Sequence, residues 1–300
     1  MLPVDAPRPE AKETPCRRWR AADGLTLSAL TWPPAQSDNP RLPVLCLSGL
    51  SRNARDFEAL AADLCARGHR VLAMDYRGRG ASDRDSDWRN YSVEREAEDI
   101  DAGLAALAPG RFIAIGTSRG GIHAMLLACR HPGRVAGIVL NDVGPELDQD
   151  GLARIAVSIG TDMRAEDWQA AADSLERSLK PQFPALDAAG WRRLAHQFYR
   201  ETPNGLTLDY DPALRHNLVE AVQPDAPPID LWPIYDQLGD VPLLILRGAH
   251  SDILTKATLA EMLRRHPNAE AMTIPDEGHA PLLWDAQTLA RIADFADRCT

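Results

Sequence analysis

Phe112-Ile113-Ala114-Ile115-Gly116-Thr117-Ser118-Arg119-Gly120-Gly121-Ile122-His123-Ala124-Met125 is the stretch whose reading decides the fold. An apolar run ends at Ile115, Gly116-Thr117-Ser118-Arg119-Gly120 matches Gly-x-Ser-x-Gly, and an amphipathic run follows over residues 121–130. A serine on a sharp strand-to-helix turn sits in strained backbone, and only small neighbours let strand and helix approach that closely. Such a turn presents the Ser118 hydroxyl to a pocket and points the next amide, that of Arg119, into the same space.

Outward from this turn, short apolar runs recur and each ends in glycine, serine or an acid. They cover residues 43–47 before Ser48-Gly49, 70–74 before Asp75, 135–140 before Asn141-Asp142, 241–246 before Arg247-Gly248, and 272–274 before Asp276. Continuous runs of this length, rich in Val, Ile and Leu, suit strands buried on both faces of a parallel sheet. The segments between them carry helical periodicity: Phe57, Leu60, Ala61 and Leu64 share one face within 54–67, and 93–107, 121–130 and 282–295 show the same period. Residues 19–32 read as an opening antiparallel hairpin turning at Asp23-Gly24. Strand–helix alternation predicts an open α/β sheet with helices on both faces, whose ligands bind beyond the carboxyl ends of the strands.

The alternation stops between Gly144 and Leu238. Helical patterns at 165–179 and 186–200 are punctuated by prolines, among them Pro181, Pro184, Pro203, Pro212, Pro224, Pro227, Pro228 and Pro233. The expected organisation is a core of residues 1–143 and 235–300 with a helical cap, 144–234, inserted after the sixth strand. Trp168, Tyr199 and Trp232 in the insert, and Arg52 outside it, are candidates for substrate contact.

A serine hydroxyl needs a base to take its proton. Of eight histidines, His69, His131 and His266 sit beside turn residues and read as solvated, and His123 reads as packed on the helix after the serine. His279, in Pro275-Asp276-Glu277-Gly278-His279-Ala280-Pro281, lies in a loop between a strand and the last helix, at the carboxyl edge of the sheet. The base in turn needs a carboxylate that fixes its tautomer. Asp252 fits the chain order Ser, Asp, His and leaves room for one helix and one strand before His279. Asp142, at another strand end, is the alternative acid. The second amide donor for an oxyanion is expected from Leu47-Ser48-Gly49-Leu50-Ser51-Arg52-Asn53, at Leu50, alongside Arg119.

In their order these motifs resemble the α/β-hydrolase fold family, in particular its serine carboxylesterases and lactonases. Asp75-Tyr76-Arg77-Gly78-Arg79-Gly80-Ala81-Ser82-Asp83 is similar to the family's D-x-R-G-x-G-x-S stretch, and the likeness covers nearly the whole chain outside the insert and the first residues. The resemblance implies a mostly parallel eight-stranded sheet, a triad of Ser118, His279 and Asp252, and acyl transfer on a small or medium ester or lactone. Where many members carry His-Gly in the oxyanion loop, this chain has Ser48-Gly49. A serine at the elbow sets the chain apart from dehalogenases and epoxide hydrolases, which use aspartate there. Diketone carbon–carbon hydrolases, cofactor-free haloperoxidases and non-catalytic ligand receptors share the pattern and stand as alternatives.

Composition narrows the partners. The 45% hydrophobic and 25% charged fractions are those of a globular protein. A net charge of −10 repels phosphate backbones, so no nucleic-acid partner is expected. Five cysteines without a CxxC pair argue for a reducing compartment and against a thiolate metal site. The start, MLPVDAPRPEAKETP, lacks the basic-then-apolar order of a signal peptide, and no apolar stretch approaches a membrane span. The expectation is therefore a cytoplasmic protein acting on a small molecule, with no metal and no cofactor.

Overall fold

The apolar runs become strands of one sheet in the computed structural model, which describes residues 14–35, 41–161, 163–223 and 229–299. Pro224, Pro227 and Pro228, and most of the proline-rich N-terminal segment, lie outside the described residues. The strands in chain order are β1 (Cys16–Arg20), β2 (Thr26–Trp32), β3 (Val44–Leu47), β4 (Val71–Asp75), β5 (Phe112–Thr117) and β6 (Val135–Asn141). Three short strands follow, β7 (Arg164–Ala165), β8 (Tyr199–Thr202) and β9 (Gly205–Leu208), before β10 (Leu243–Gly248) and β11 (Ala269–Ile274).

The eight-stranded sheet has the order β1-β2-β4-β3-β5-β6-β10-β11. The opening hairpin pairs antiparallel and joins β4 antiparallel, while β4, β3, β5, β6, β10 and β11 run parallel. Alternating side chains of each buried strand feed two hydrophobic layers. Leu45 and Leu47 of β3 pack with Phe112, Leu140 and Ile245 on one face, and Val44 and Cys46 pack with Ile113, Val139 and Leu244 on the other. Each such fully buried side chain contributes about 1.5–3 kcal/mol of transfer free energy, so both faces must stay covered.

Helices cover the sheet: α1 (Glu58–Ala66), α2 (Val93–Leu107) and α3 (Arg119–Arg130) precede the insert, and α9 (Lys256–Arg265) and α10 (Ala286–Arg298) follow it. The insert contains α4 (Gln149–Ser158), α5 (Trp168–Leu179), α6 (Ala188–Phe198), α7 (Arg215–Ala221) and α8 (Trp232–Asp236). It is not purely helical, as the sequence pattern suggested: β7, β9 and β8 form a three-stranded antiparallel sheet beside α5 and α6. The helical period over 165–179 begins inside β7, and that over 186–200 runs on into β8, because Tyr199, Leu206 and Leu208 pack into the insert's own core with Trp191 and Leu194. Of the three histidines expected at the surface, His69 and His266 are buried.

Insert and core are joined by backbone. Gly80 donates to the Asp209 carbonyl (3.1 Å) and Asp211 to that of Gly78 (2.7 Å). Among the described residues no helix is long and apolar enough to cross a membrane.

The serine turn is where the packing tolerates least. A Cβ on Gly116 would lie 2.2 Å from the Gly120 carbonyl oxygen, and one on Gly120 would lie 1.9 Å from that of Leu47. Neither contact can be relieved by rotating a side chain, because both partners are backbone. Gly120→Ala is therefore expected to lower the thermal midpoint by about 6 °C or more, or to abolish soluble expression; an unchanged midpoint in a melting scan would contradict this packing.

Candidate active site

Ser118 stands between the end of β5 and the start of α3 with φ 51° and ψ −116°. This is left-handed backbone for a residue with a side chain, and costs about 1–3 kcal/mol that the surrounding packing must offset. The Ser118 amide is fixed by donating to the Asn141 carbonyl at 3.0 Å. Its Oγ lies 2.9 Å from His279 Nε2.

His279 is held on both sides. Its backbone amide donates to Gln182 Oε1 of the insert at 2.6 Å. Its Nδ1 donates to Asp142 Oδ2 at 2.8 Å, a carboxylate that can only accept. Asp142 is fully buried at the end of β6, in left-handed backbone (φ 58°). Its other contacts are the Gly248 amide on Oδ1 (2.9 Å) and the Ser251 hydroxyl on Oδ2 (2.6 Å).

The structure corrects the expected acid. Asp252 does not meet His279; it is engaged by both Arg154 Nε and Arg154 Nη2 (2.9 Å for the latter) from α4. Partial burial pushes its carboxyl up, yet the Arg154 guanidinium and the Gln182 side chain hold it below its ordinary value. The physical reason is strand adjacency. β6 and β10 are neighbours, so both acids reach the same sheet edge, and the insert's arginine claims the one nearer the surface.

Leu50 and Arg119 both line the cavity around Ser118, and neither backbone amide has a hydrogen-bond partner among the described residues. Gly49 brings the loop close: a Cβ there would lie 3.8 Å from Ser118 Cβ. The cavity has a volume of about 690 Å³ and is walled mostly by apolar side chains, including Ile122, Leu152, Ile155, Phe183, Phe198 and Leu231. Of the four residues expected to touch substrate, Arg52 alone lines it. Its Nε donates to Asp56 at 2.7 Å and its guanidinium lies 3.3 Å from the Phe198 ring centre. The other three are corrected. Tyr199 is buried in the insert's core, Trp168 stacks on His196 with ring centres 3.8 Å apart, and Trp232 packs edge-on against Tyr235. Aromatic residues at helical spacing filled cores here.

Sequence reasoning did not single out Gln182, Ser251 or Glu96. Glu96 is fully buried and binds Arg119 Nε (2.8 Å), Arg79 Nη1 (2.7 Å) and His123 Nε2 (3.0 Å). A charged residue inside the apolar period of α2 was the available signal. The Arg119 guanidinium thus meets a protein acid rather than standing free for a substrate carboxylate. Among the described residues no group of three or more His, Cys, Asp or Glu side chains is placed to hold a metal ion.

A family model described as alpha/beta hydrolase fold matches residues 43–286. The 3-hydroxybutyrate-oligomer hydrolase of Cupriavidus necator is 32% identical, over 86% of this chain and 88% of that protein. The 2-(acetamidomethylene)succinate hydrolase of Mesorhizobium japonicum is 27% identical, over 85% of this chain and 87% of that protein. An alpha/beta hydrolase from Novosphingobium aromaticivorans has a crystal structure that superposes with a TM-score of 0.88 at 41% identity, covering 96% of this chain and 99% of that one.

One further carboxyl in the histidine loop titrates unusually. Burial pushes Glu277 up to about 7, against the Leu282 amide that donates to its Oε2 at 2.8 Å. A raised acid favours the folded state fully below its ordinary value of 4.5, and that contribution is lost as pH rises towards about 7. Glu277→Gln keeps the acceptor and removes the titration. Between pH 4.5 and 7 the variant is expected to gain about 3 kcal/mol over the wild type, measured by denaturant unfolding at each pH; a difference that stays flat with pH would contradict it.

Proposed function

Because the chain belongs to the α/β hydrolase fold family, we propose that it is a serine hydrolase cleaving carboxylic esters through an acyl-enzyme. The observation that carries this reading is the continuous relay from Ser118 Oγ to His279 Nε2 (2.9 Å) and from His279 Nδ1 to Asp142 (2.8 Å). His279 takes the Ser118 proton as Oγ attacks the ester carbonyl, and Asp142 stabilises the imidazolium that results. The carbonyl oxygen becomes an anion facing the Leu50 and Arg119 amides, with the positive end of α3 behind it. His279 returns the proton to the departing alcohol, and water then repeats the sequence in reverse to free the acid.

The insert acts as a cap in this proposal, since α4, α6 and α7 supply much of the cavity wall. A chamber of about 690 Å³ with an apolar lining favours acyl groups of medium length over acetate. The name of the Cupriavidus necator relative adds a specific candidate: short oligomers of 3-hydroxybutyrate.

p-Nitrophenyl acetate, butyrate and octanoate, and 3-hydroxybutyrate dimer and trimer, form the test series against wild type and Ser118→Ala. Turnover is expected to rise from acetate to butyrate or octanoate, and to fall by about 10³-fold or more in the variant. No turnover by the wild type, with no fluorophosphonate labelling of Ser118, would overturn the reading.

A further inference from the structure

We propose that the buried Arg79–Glu96–Arg119 cluster is the positioning device of the oxyanion hole, tying both amide-bearing residues to one carboxylate. The inference rests on the hydrolase reading above and adds residues to it that touch no substrate. Arg79 Nε donates to the Leu50 carbonyl at 2.7 Å and Nη1 to the Arg77 carbonyl at 2.7 Å, while Nη1 also forms an ion pair with Glu96 Oε1, 2.7 Å away. On the other side of the same carboxylate, Glu96 Oε2 accepts from Arg119 Nε at 2.8 Å, while Arg119 Nη2 donates to the Tyr91 carbonyl at 3.0 Å. The loop that carries the Leu50 amide and the helix end that carries the Arg119 amide are therefore cross-linked through Glu96.

Three features favour positioning over simple stabilisation. Arg79 and Glu96 are 1% and 0% exposed, and burying such ions is a poor way to gain stability compared with apolar residues of similar size. Arg119 occupies the first position of α3, where the helix dipole opposes a cation, and Glu96 supplies a counter-charge at its side chain. The turn bearing Arg79 is also clamped by the insert through the Gly80–Asp209 and Asp211–Gly78 backbone bonds. Docking of the insert and geometry of the hole thus share one arginine.

The discriminating probe is an alkyl trifluoromethyl ketone of octanoate length. Ser118 Oγ adds to its carbonyl carbon, the π pair moves to oxygen, and the serine proton passes to His279, so the adduct carries the oxyanion while a bound ester does not. Arg79→Met is expected to lower kcat by about 30- to 100-fold and weaken the ketone in parallel, with KM for p-nitrophenyl butyrate within about 3-fold of wild type. Arg79→Lys, which reaches fewer of the three acceptors, should restore part of both, and Glu96→Gln should resemble Arg79→Met. If the Met variant does not fold, the Lys and Gln variants decide. Variants that melt earlier but keep wild-type kcat and ketone affinity would overturn the inference and leave the hydrolase reading intact. A wild type that neither turns over ester nor binds the ketone would overturn both.

Discussion

The contact between His279 Nδ1 and Asp142 Oδ2 joins two segments that are distant in sequence, the end of β6 and the loop after β11, and the end of β10 braces it. Asp142 can make it only in left-handed backbone, anchored by the Gly248 amide and the Ser251 hydroxyl. Ser251 is itself fixed by accepting from the Ile253 and Leu254 amides at 3.2 and 3.1 Å. The carboxylate therefore reaches the imidazole already oriented and fully buried. Out of contact with solvent, such a fixed acceptor acts more strongly than it could at the surface. The parallel sheet exists, in functional terms, to deliver these strand ends to one edge.

The second acid shows how the same edge serves the insert. Asp252 sits one residue after Ser251, yet its carboxylate is turned to Arg154 of α4, and Gln182 of the insert holds the His279 backbone. Both contacts make the position of the insert a condition for the position of the histidine. The chamber is closed by the same elements, so docking the insert orients His279 and shapes the apolar wall together. Glu96 and Arg79 extend this arrangement to the far side of Ser118.

Much of this was legible in the residues. Gly116 and Gly120 are glycines because backbone lies within 2.2 Å of where a Cβ would be, and that constraint is what makes Gly-x-Ser-x-Gly readable. Val93–Leu107 and the buried strands follow from periodicity, since each has one or both faces covered. The choice between Asp142 and Asp252 was not legible. Both end neighbouring strands, and only the placement of Arg154, a residue of the insert, separates them. Trp168 and Tyr199 misled for a related reason, because an insert that has its own core uses aromatic residues to fill it, while Trp232 packs against a hydrophobic layer of the sheet. Its small sheet escaped notice because β7 and β8 adjoin helical patterns and are too short to impose a period of two.

Single-turnover and steady-state kinetics of Asp142→Asn and Asp252→Asn, side by side, test the account at its centre. Asparagine preserves shape at both positions, removes the charge and turns one acceptor oxygen into an NH2 donor. Asp142→Asn is expected to lower kcat by about 10³- to 10⁴-fold, while Asp252→Asn changes it by less than about 10-fold and mainly loosens the insert. The reverse ranking, with Asp252→Asn inactive and Asp142→Asn active, would contradict it.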